Sequence, residues 1–475
     1  MISLPILTAL YALYTTVCAV NPVNVTGQDF YDTVTGDRFM LLGVDYQPGG
    51  QAGYKPQQGE DALSQGDVCL RDAAVMQRLG VNTIRVYNVD PTLNHDDCAS
   101  VFNAAGIYMV LDVNSPLGGE SINRADPSSS YNSGYLNRVF GVIENFKNYP
   151  NTLAFFSANE VMNDIPTAAD NPPYIRAVQR DMKNYIAKQG SRAIPVGYSA
   201  ADVREILEDT WNYMQCSISN DTDNASRSDF FGLNSYSWCG GDATFESSGY
   251  NDIVAMFGST TIPIFFSEYG CNKVMPRVFD EVAALYGPQM TSLSGGLIYE
   301  YSQEEADYGL VQINSNGSVS LLTDYDNLQM QYNRLNITLI EAANTTAANL
   351  DPPECSAGLI SNSGMSKSFD LPAVPDGVQQ MINNGISNPT QGRIVDVSNL
   401  TPSQEVYGTN GAPVQGLQVN RVPDDQSNTP SGATPSTSGS GAPAQPSKTG
   451  AAVVGARAEA AVGFVGLLGF VLSLL

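Results

Sequence analysis

The sequence predicts an α/β fold, a (β/α)8 TIM barrel, over residues 20–350. Short apolar runs rich in β-branched and aromatic residues recur along this part of the chain, helical patterns lie between several of them, and polar residues follow their ends. Strands buried on both faces read as continuous apolar runs, and repeated β–α alternation is typical of a barrel of parallel strands. The eight runs are residues 39–47, 81–89, 107–113, 152–160, 193–200, 230–238, 262–270 and 295–302.

A doubly wound open sheet is the alternative for the same alternation of strands and helices. That fold places a glycine-rich phosphate loop directly after a strand when it binds a dinucleotide. None of the eight apolar runs is followed by such a loop, so the closed barrel is favoured.

The first 19 residues have the pattern of a secretory signal peptide. An apolar run ends in small residues, and Val17 and Ala19 suit the two small positions before a cleavage site. An N-terminal membrane anchor is the alternative, but the run is shorter than the ~20 residues that a spanning helix needs. The mature chain is therefore expected to begin at Val20.

The composition changes beyond residue 350. Residues 351–420 are polar and predict a partly ordered appendage, and residues 421–450 predict a disordered Ser/Thr/Pro stalk that has too few apolar side chains for a core. Residues 451–475 end in an apolar tail with no charged residue after it, as in a GPI-attachment propeptide. Gly450 is the predicted attachment residue, with Gly455 as the alternative. The protein is therefore expected on the outer leaflet of the plasma membrane, held by a lipid anchor.

The charge and the glycosylation pattern agree with a secreted protein. The formal net charge of −25 argues against nucleic acid as a partner, because phosphate binding needs clustered Lys and Arg. N-x-[ST] sequons recur along the chain and predict a glycosylated surface. Their asparagines are Asn24, Asn220, Asn224, Asn316, Asn336, Asn344 and Asn399.

The number and spacing of the cysteines and histidines limit which metal sites and catalytic groups the protein can have. Cys18 leaves with the signal peptide, and the six remaining cysteines predict three disulfides in an oxidising compartment. Six cysteines allow fifteen pairings, and the residues alone do not choose among them. No cysteines have zinc-ligand spacing, and His95 is the only histidine. We therefore expect no metal, no cofactor and no histidine-dependent catalytic triad.

Polar and aromatic residues end one predicted strand after another, and two of them are glutamates. Barrel enzymes carry their catalytic groups at the C-terminal ends of the strands. A carboxylate in such a position is costly to desolvate unless it is paired or takes part in chemistry. Glu160 ends the fourth run and Glu268 lies near the end of the seventh, so the two are expected to face each other across the mouth of the barrel.

Two facing carboxyl groups are what retaining glycoside cleavage requires. One carboxylic acid protonates the leaving oxygen, and a carboxylate ~5–5.5 Å away attacks the anomeric carbon. We assign Glu160 as the acid/base, with Asn159 beside it to bind the sugar 2-hydroxyl, and Glu268 as the nucleophile. Tyr236 is expected to hydrogen-bond Glu268, hold it ionised and separate the two pKa values. The alternative is that either glutamate belongs to a structural ion pair at the barrel rim.

Six motifs carry a resemblance to a known family. DYQPGG, RVYNVDP, ANE, YSWCG, SEYGC and GGLIYEYSQEEADYGLV, in this order within residues 22–345, resemble the motifs of the fungal β-1,3-glucanosyltransferases of the Gas/Gel/Phr type, glycoside hydrolase family 72. The resemblance implies a retaining enzyme that cuts β-1,3-glucan internally and transfers the new end to another glucan chain. Matching motifs give Glu160 as the proton donor and Glu268 as the nucleophile. Matching sugar-binding or supporting positions are Gln47, Tyr87, Asp112, Asn159, Tyr236, Tyr299 and Tyr308.

The resemblance also implies a disulfide pattern and a setting. The cysteine-rich carbohydrate-binding module of some relatives is expected to be absent, because only Cys355 lies beyond Cys271. The implied partners are β-1,3-glucan donor and acceptor chains, the implied location includes the cell wall, and we expect a monomer without a cofactor. The implied disulfides are Cys69–Cys98, Cys216–Cys355 and Cys239–Cys271, of which the last has its own rationale, since its cysteines lie three residues beyond Tyr236 and Glu268.

Two other functions are left open by the residues themselves. Transfer requires a sugar to outcompete water at the intermediate, and aromatic rings that stack on sugars favour transfer. Tyrosines, Tyr301 among them, lie near the predicted mouth. They do not distinguish a transferase from a retaining endo-β-glucanase or mannanase. A non-catalytic wall adhesin is the third interpretation, and it gives no reason for the carboxylate pair. Trp238 is predicted as a stacking platform or a packed loop anchor. Glu300, Glu304 and Glu305 are predicted to be solvated loop charges or helix-start residues.

Overall fold

A computed structural model of the chain describes residues 20–219, 224–341, 350–423 and 425–432. The predicted signal peptide, the sequon residues Asn220 and Asn344 and the predicted attachment residue Gly450 lie outside these ranges. Across them, no helix combines the length and the apolar character that a membrane span requires. The strands are β1 (Val23–Thr26), β2 (Asp29–Asp32), β3 (Arg38–Phe39), β4 (Leu41–Asp45), β5 (Thr83–Val86), β6 (Tyr108–Asp112), β7 (Thr152–Asn159), β8 (Val196–Ala201), β9 (Phe231–Asn234), β10 (Ile264–Tyr269), β11 (Gly295–Ile298), β12 (Val311–Ile313), β13 (Val319–Leu321) and β14 (Val406–Tyr407).

The helices alternate with the barrel strands and continue beyond them. Short 3₁₀ turns occur at Gln51–Gly53, Pro56–Gln58, Phe257–Ser259 and Ala357–Leu359. The α-helices are α1 (Gly66–Leu79), α2 (Asp96–Ala104), α3 (Pro127–Ser130), α4 (Ser133–Phe146), α5 (Ile165–Ala168), α6 (Pro172–Gln189), α7 (Leu207–Gln215), α8 (Tyr250–Met256), α9 (Glu281–Leu285), α10 (Thr323–Tyr332), α11 (Ile337–Glu341) and α12 (Val378–Asn384).

The parallel strands β4 to β11 close into an eight-stranded barrel, so the predicted (β/α)8 fold is confirmed. Each of the predicted apolar runs coincides with one barrel strand, and only β8 extends one residue beyond its run. The barrel closes where β11 pairs with β4, in the register Gly295 to Leu41 through Ile298 to Val44. The strand residues are nearly all buried, because side chains fill the interior on one face and the helices cover the other.

Three short antiparallel strands, β1 to β3, precede the barrel, and the sequence interpretation missed them. Phe30 of β2 is fully buried, with its ring centroid 5.8 Å from that of Phe230 and 5.9 Å from that of Phe265. Phe230 lies next to the first residue of β9, and Phe265 is the second residue of β10. The sheet therefore packs aromatic side chains against the N-terminal end of the barrel and leaves the C-terminal end open for the site.

Residues 350–423 and 425–432 lie against the outside of the barrel. The sequence assigns them to the appendage and the first part of the stalk. Helix α12 packs on α4 and α6, and β14 pairs in parallel with β13. Farther along, the buried side chain of Asn428 donates hydrogen bonds to the carbonyl oxygens of Gln77 and Val81. A few buried apolar residues anchor the segment, namely Ile360, Met365, Val378, Ile382, Val406 and Val419.

The structure contains the three disulfides that the resemblance implies. Cys69–Cys98 joins α1 to α2, and Cys216–Cys355 joins the end of α7 to the C-terminal segment. Cys239–Cys271, with a Cα–Cα distance of 5.1 Å, joins the segments that follow β9 and β10, beside the predicted nucleophile.

The sequon asparagines differ in accessibility. Asn316, Asn336 and Asn399 are exposed, and Asn24 and Asn224 are half-buried. Glycosylation at these positions stays a prediction, which the exposed side chains support most directly.

His95 is a buried structural residue. Its Nε2 lies 2.8 Å from Asp61 Oδ2, and its Nδ1 lies 3.0 Å from Asn145 Oδ1. Asp61 also accepts the backbone N–H groups of Leu63 and Asp90, so the cluster ties the loop after β5 to the loop after β4. Among the described residues, no group of three or more His, Cys, Asp or Glu side chains is arranged to hold a metal ion.

We predict that stability falls as pH rises through the pKa of His95. Burial lowers the pKa of His95, but the hydrogen bond and the charge of Asp61 outweigh it, and the pKa lies above 6.5. The pair therefore stabilises fully below the unfolded-state pKa of ~6.5 and loses this contribution as pH rises through the folded-state pKa. Chemical denaturation at a series of pH values across this range should show the fall in the free energy of unfolding. His95→Gln should be less stable by about 1–3 kcal/mol at low pH, and its free energy of unfolding should lack this dependence on pH. An unchanged slope in the variant contradicts the prediction.

Candidate active site

The C-terminal ends of the barrel strands open into a cleft of about 560 Å³. Glu160 follows β7 directly, Glu268 lies near the end of β10, and both line this cleft. The charge of Glu160 contributes to a raised pKa of Glu268, after burial and the opposing charge of Arg85, so the two carboxyl groups interact across the cleft. Other predicted residues that line the cleft are Gln47, Tyr87, Asp112, Asn159 and Tyr299.

Both oxygens of Glu268 accept hydrogen bonds. Tyr87 donates to Oε1 at 2.9 Å and Tyr236 donates to Oε2 at 2.8 Å, while Arg85 Nη1 lies 3.2 Å from Oε1. Burial raises the pKa of Glu268, Arg85 opposes this, Glu160 adds to it, and the two tyrosine hydroxyls lower it. Three donors on one carboxylate fix its orientation and favour its ionised form, which a nucleophile requires.

Arg85, within β5, is a site residue that the sequence interpretation missed. Its fully buried guanidinium donates from Nε and Nη2 to the two oxygens of Asp112, at 2.8 and 3.2 Å, and from Nη1 to Glu268. Asp112, predicted to bind substrate, therefore also orients Arg85. The available signal was an arginine inside an apolar strand, because a buried arginine needs an acidic partner.

Glu160 is held by an amide network. It has a φ of 48°, a left-handed conformation that is uncommon for a residue with a Cβ and clusters at functional sites. Asn234 of β9 donates to Glu160 Oε1 at 2.9 Å and to Asn159 Oδ1 at 3.2 Å. The hydroxyls of Ser199 and Ser267 donate to Asn234 Oδ1 and fix the orientation of its amide.

Four tyrosines form an aromatic rim around Glu268. The ring of Tyr308 lies 5.6 Å from that of Tyr236 and 5.2 Å from that of Tyr299, and Tyr299 also contacts Tyr236 and Tyr87, at 6.2 and 6.5 Å. Arg277 donates to the carbonyl oxygens of Tyr299 and Tyr308 at 2.7 and 2.5 Å. Rings held in this way offer faces and edges against which sugar rings pack.

Two predictions for aromatic residues near the mouth are settled by burial. Tyr301 does not belong to the mouth, because it is buried and its hydroxyl donates to Asp72 at 2.6 Å. Trp238 is 8% exposed and packs against Tyr250 with a centroid distance of 5.2 Å. It is therefore a packed loop anchor rather than a stacking platform.

The prediction of solvated charges after β11 is wrong for Glu300. Its side chain is buried, with 2% of its surface exposed. Glu304 is half-buried and lines the cleft, and only Glu305 is exposed. The interpretation failed because an acidic residue in a loop was assumed to be ionised and therefore solvated.

Comparisons with known proteins agree on one family. The family model described as glucanosyltransferase, glycoside hydrolase family 72, matches residues 12–336. The chain is 57% identical over 424 residues to the 1,3-beta-glucanosyltransferase gel2 of Aspergillus fumigatus, and the aligned residues cover 89% of this chain and 88% of that protein. It is 45% identical over 408 residues to the probable 1,3-beta-glucanosyltransferase GAS3 of Saccharomyces cerevisiae, and the aligned residues cover 82% of this chain and 77% of that protein.

Solved structures of a yeast relative have the same fold. A Saccharomyces cerevisiae Gas2p mutant in complex with laminaritetraose and laminaripentaose matches with a TM-score of 0.65 at 36% identity, covering 75% of each chain. A second Gas2 structure, in complex with a small compound, matches with a TM-score of 0.67 at 37% identity, covering 76% of this chain and 78% of that one.

Proposed function

Since this chain belongs to the glucanosyltransferase family, glycoside hydrolase family 72, we propose that it is a retaining 1,3-β-glucanosyltransferase that cleaves β-1,3-glucan internally and transfers the new end to another glucan chain. The observation that carries the proposal is that Glu160 and Glu268 line one cleft, with Glu268 held by Tyr87, Tyr236 and Arg85. The laminari-oligosaccharides bound to Gas2p support β-1,3-linked glucose as the substrate class.

In the first half-reaction, Glu268 attacks the anomeric carbon while Glu160 gives its proton to the departing glycosidic oxygen. One C–O bond forms at Glu268 as the glycosidic C–O bond breaks, so the reducing-end fragment leaves as an alcohol and the other fragment becomes a glycosyl ester. Glu268 loses its negative charge in this step. Arg85 stays paired because Asp112 holds two of its nitrogens.

In the second half-reaction, the ionised Glu160 takes the proton of a hydroxyl group on an incoming glucan. That oxygen attacks the anomeric carbon, and Glu268 leaves as a carboxylate, so two inversions restore the β configuration. The amide N–H of Asn234 donates to Glu160 and holds its carboxyl group in place for this step.

Transfer instead of hydrolysis requires an acceptor sugar to exclude water from the intermediate. The aromatic rim supports transfer, since Tyr299 lines the cleft and the ring of Tyr308 packs against the ring of Tyr299. Ring faces bind sugars and displace water at the same time. The rim would therefore hold an acceptor glucan over the glycosyl ester.

The test is incubation with a reduced β-1,3-gluco-oligosaccharide, followed by mass spectrometry of the products. We expect reduced products longer than the substrate, because the reduced chain can accept a transferred fragment. Only shorter products would support a retaining endo-β-glucanase instead. Cleavage of manno-oligosaccharides would support a mannanase, and no cleavage of either would support a wall adhesin.

We further propose a cell-surface location, with removal of residues 1–19 and attachment of a GPI lipid at Gly450. The support is the pattern of the two chain ends, an apolar N-terminal run before small residues and an apolar C-terminal tail after Gly450. Release of the protein from intact cells by a phosphatidylinositol-specific phospholipase tests the anchor. Retention in the wall fraction after that treatment would place it in the cell wall instead.

A further inference from the structure

The loop after β11 brings two glutamates together in the wall of the cleft. Glu300 is 2% exposed. Glu304 lines the cleft, and its carboxyl group lies so close to Gly50 that a Cβ at Gly50 would overlap it. The carboxyl groups of Glu300 and Glu304 lie within hydrogen-bonding reach of each other.

The surroundings of this pair are acidic and poor in donors. In the described part of the chain, no hydrogen-bond donor reaches Oε1 of Glu300 or Oε1 of Glu304. The charge of Glu300 interacts unfavourably with those of Glu268 on β10 and Asp45 on β4, whereas the charge of Arg277 lowers the pKa of Glu300. Two ionised carboxylates this close repel each other, and a buried carboxyl group without donors is stable when it carries a proton.

We propose that Glu300 and Glu304 share one proton, with the Glu300 hydroxyl donating to the Glu304 carboxylate, and that this acid pair positions the cleft wall and the tyrosine rim for glucan binding. The role in glucan binding rests on the proposed function. Burial, followed by the charge and the hydrogen bond of Glu304, raises the pKa of Glu300 to about 9. Burial also raises the pKa of Glu304. The pair therefore keeps its proton at acidic and neutral pH.

The acid pair is connected to the nucleophile through the tyrosine rim. The backbone N–H of Glu300 donates to the carbonyl oxygen of Tyr308 at 3.0 Å. Tyr299 precedes Glu300, and the charge of Glu300 contributes, after burial, to its raised pKa. The rings of Tyr299 and Tyr308 both contact Tyr236, whose hydroxyl donates to Glu268. A shift of the loop would therefore move the rim that surrounds the nucleophile.

Loss of the shared proton adds a second negative charge to the pair. Glu300 cannot reach solvent without leaving the core, whereas Glu304 already borders the cleft. Repulsion is therefore relieved when Glu304 moves away from Glu300 and out of its place beside Gly50. The cleft wall then loses its shape, and glucan affinity falls.

Single glutamine variants reproduce the pair with its proton in place. In Glu304→Gln the amide N–H donates to the Glu300 carboxylate, so one hydrogen bond joins the two side chains and the pair cannot gain a second negative charge. Glu300→Gln gives the reverse arrangement and serves as the second variant if the first one folds poorly. Glu305→Gln is the matched control, because it removes an exposed charge from the same loop. Thermal melting confirms that each variant is folded.

The first readout is the affinity for laminaripentaose against pH, measured by calorimetry in a Glu160→Gln background so that the glucan is not turned over during the measurement. With the pair intact, and with Glu305→Gln, we expect affinity to fall about tenfold as pH rises through about 9, the pKa of Glu300. With Glu304→Gln or Glu300→Gln, affinity should stay constant. Coinciding pH profiles in all variants would overturn the proposal.

The second readout, infrared difference spectroscopy, needs no substrate and so separates this proposal from the proposed function. A carboxylic-acid C=O band should disappear as pH rises through about 9. Glu304→Gln and Glu300→Gln should lack this band, and Glu305→Gln should keep it. If the band behaves this way but laminaripentaose does not bind, the shared proton stands and the glucan role fails. A band that persists in both single variants overturns the shared proton itself.

Discussion

Replacing Glu268 with glutamine is expected to lower glucan transfer by about 10⁴-fold or more. The amide has nearly the same shape as the carboxylate but no nucleophilic oxygen anion, so the glycosyl ester cannot form. Tyr87 and Tyr236 each donate to one oxygen of Glu268, and one of these bonds is kept by the amide oxygen. The fold and the affinity for glucan should therefore be largely retained. Product formation from a reduced oligosaccharide, measured by chromatography, gives the rate.

The controls for this variant separate chemistry from structure. Glu305→Gln removes an exposed glutamate and should leave the rate unchanged. Glu268→Ala supplied with azide and a fluoride-activated donor should form an α-glycosyl azide, because the small anion attacks from the side that the carboxylate occupied. Transfer at the wild-type rate by Glu268→Gln would show that another group is the nucleophile.

Replacing Glu160 with glutamine is expected to lower transfer from unactivated glucan by about 10²–10⁴-fold. The leaving oxygen of glucan needs a proton, and the amide cannot supply one. Fluoride leaves without protonation, so the glycosyl-enzyme should still form from a laminaribiosyl fluoride. Rates of glycosyl-enzyme formation with the two donors, measured before the second half-reaction and compared in wild type and variant, therefore measure the contribution of the acid.

An equal loss with both donors would contradict the assignment of Glu160 as the proton donor. Asn234→Ala provides a related comparison, because it removes the amide that donates to Glu160 and leaves both carboxylates in place. It should reproduce the same donor dependence to a smaller extent. Melting temperatures of both variants exclude loss of the fold as the cause.

The barrel and its two glutamates were predictable for a common physical reason. Strands buried on both faces must be apolar throughout, so the carboxylates of Glu160 and Glu268 at the ends of two such strands stood out. The resemblance supplied what spacing does not give, which is the disulfide pairing and the preference for transfer over hydrolysis.

Arg85 and Glu300 were missed because their environments depend on partners that are distant in sequence. Arg85 is stable inside the barrel only because Asp112 and Glu268 lie on other strands. Glu300 is buried beside another acid, and a local interpretation assigns a loop carboxyl its ionised form. Asn234 ends strand β9, but its role follows from its bond to Glu160, at the end of another strand.

The segments around the barrel were predicted least well. Strands β1 to β3 are short, and β3 contains only two residues, which gives little periodicity to detect. Residues 350–423 and 425–432 contact the barrel through single apolar anchors, such as Ile382 and Val406, that are widely spaced in a polar sequence. Composition averages over such anchors and therefore indicates less contact than the fold has.

Trapping the glycosyl-enzyme tests the central claim, the pairing of Glu160 and Glu268, most directly. A 2-deoxy-2-fluoro laminaribiosyl fluoride should form the ester quickly and release it slowly, because the 2-fluoro group destabilises positive charge at the anomeric carbon in both steps and the fluoride leaving group offsets this only in the first. Peptide mapping by mass spectrometry should then place one added disaccharide on Glu268. The same label is expected in Glu160→Gln, because fluoride leaves without the proton that this variant cannot supply. A label on another residue, or a kinetically competent enzyme that forms no covalent adduct, would contradict the retaining mechanism proposed for this cleft.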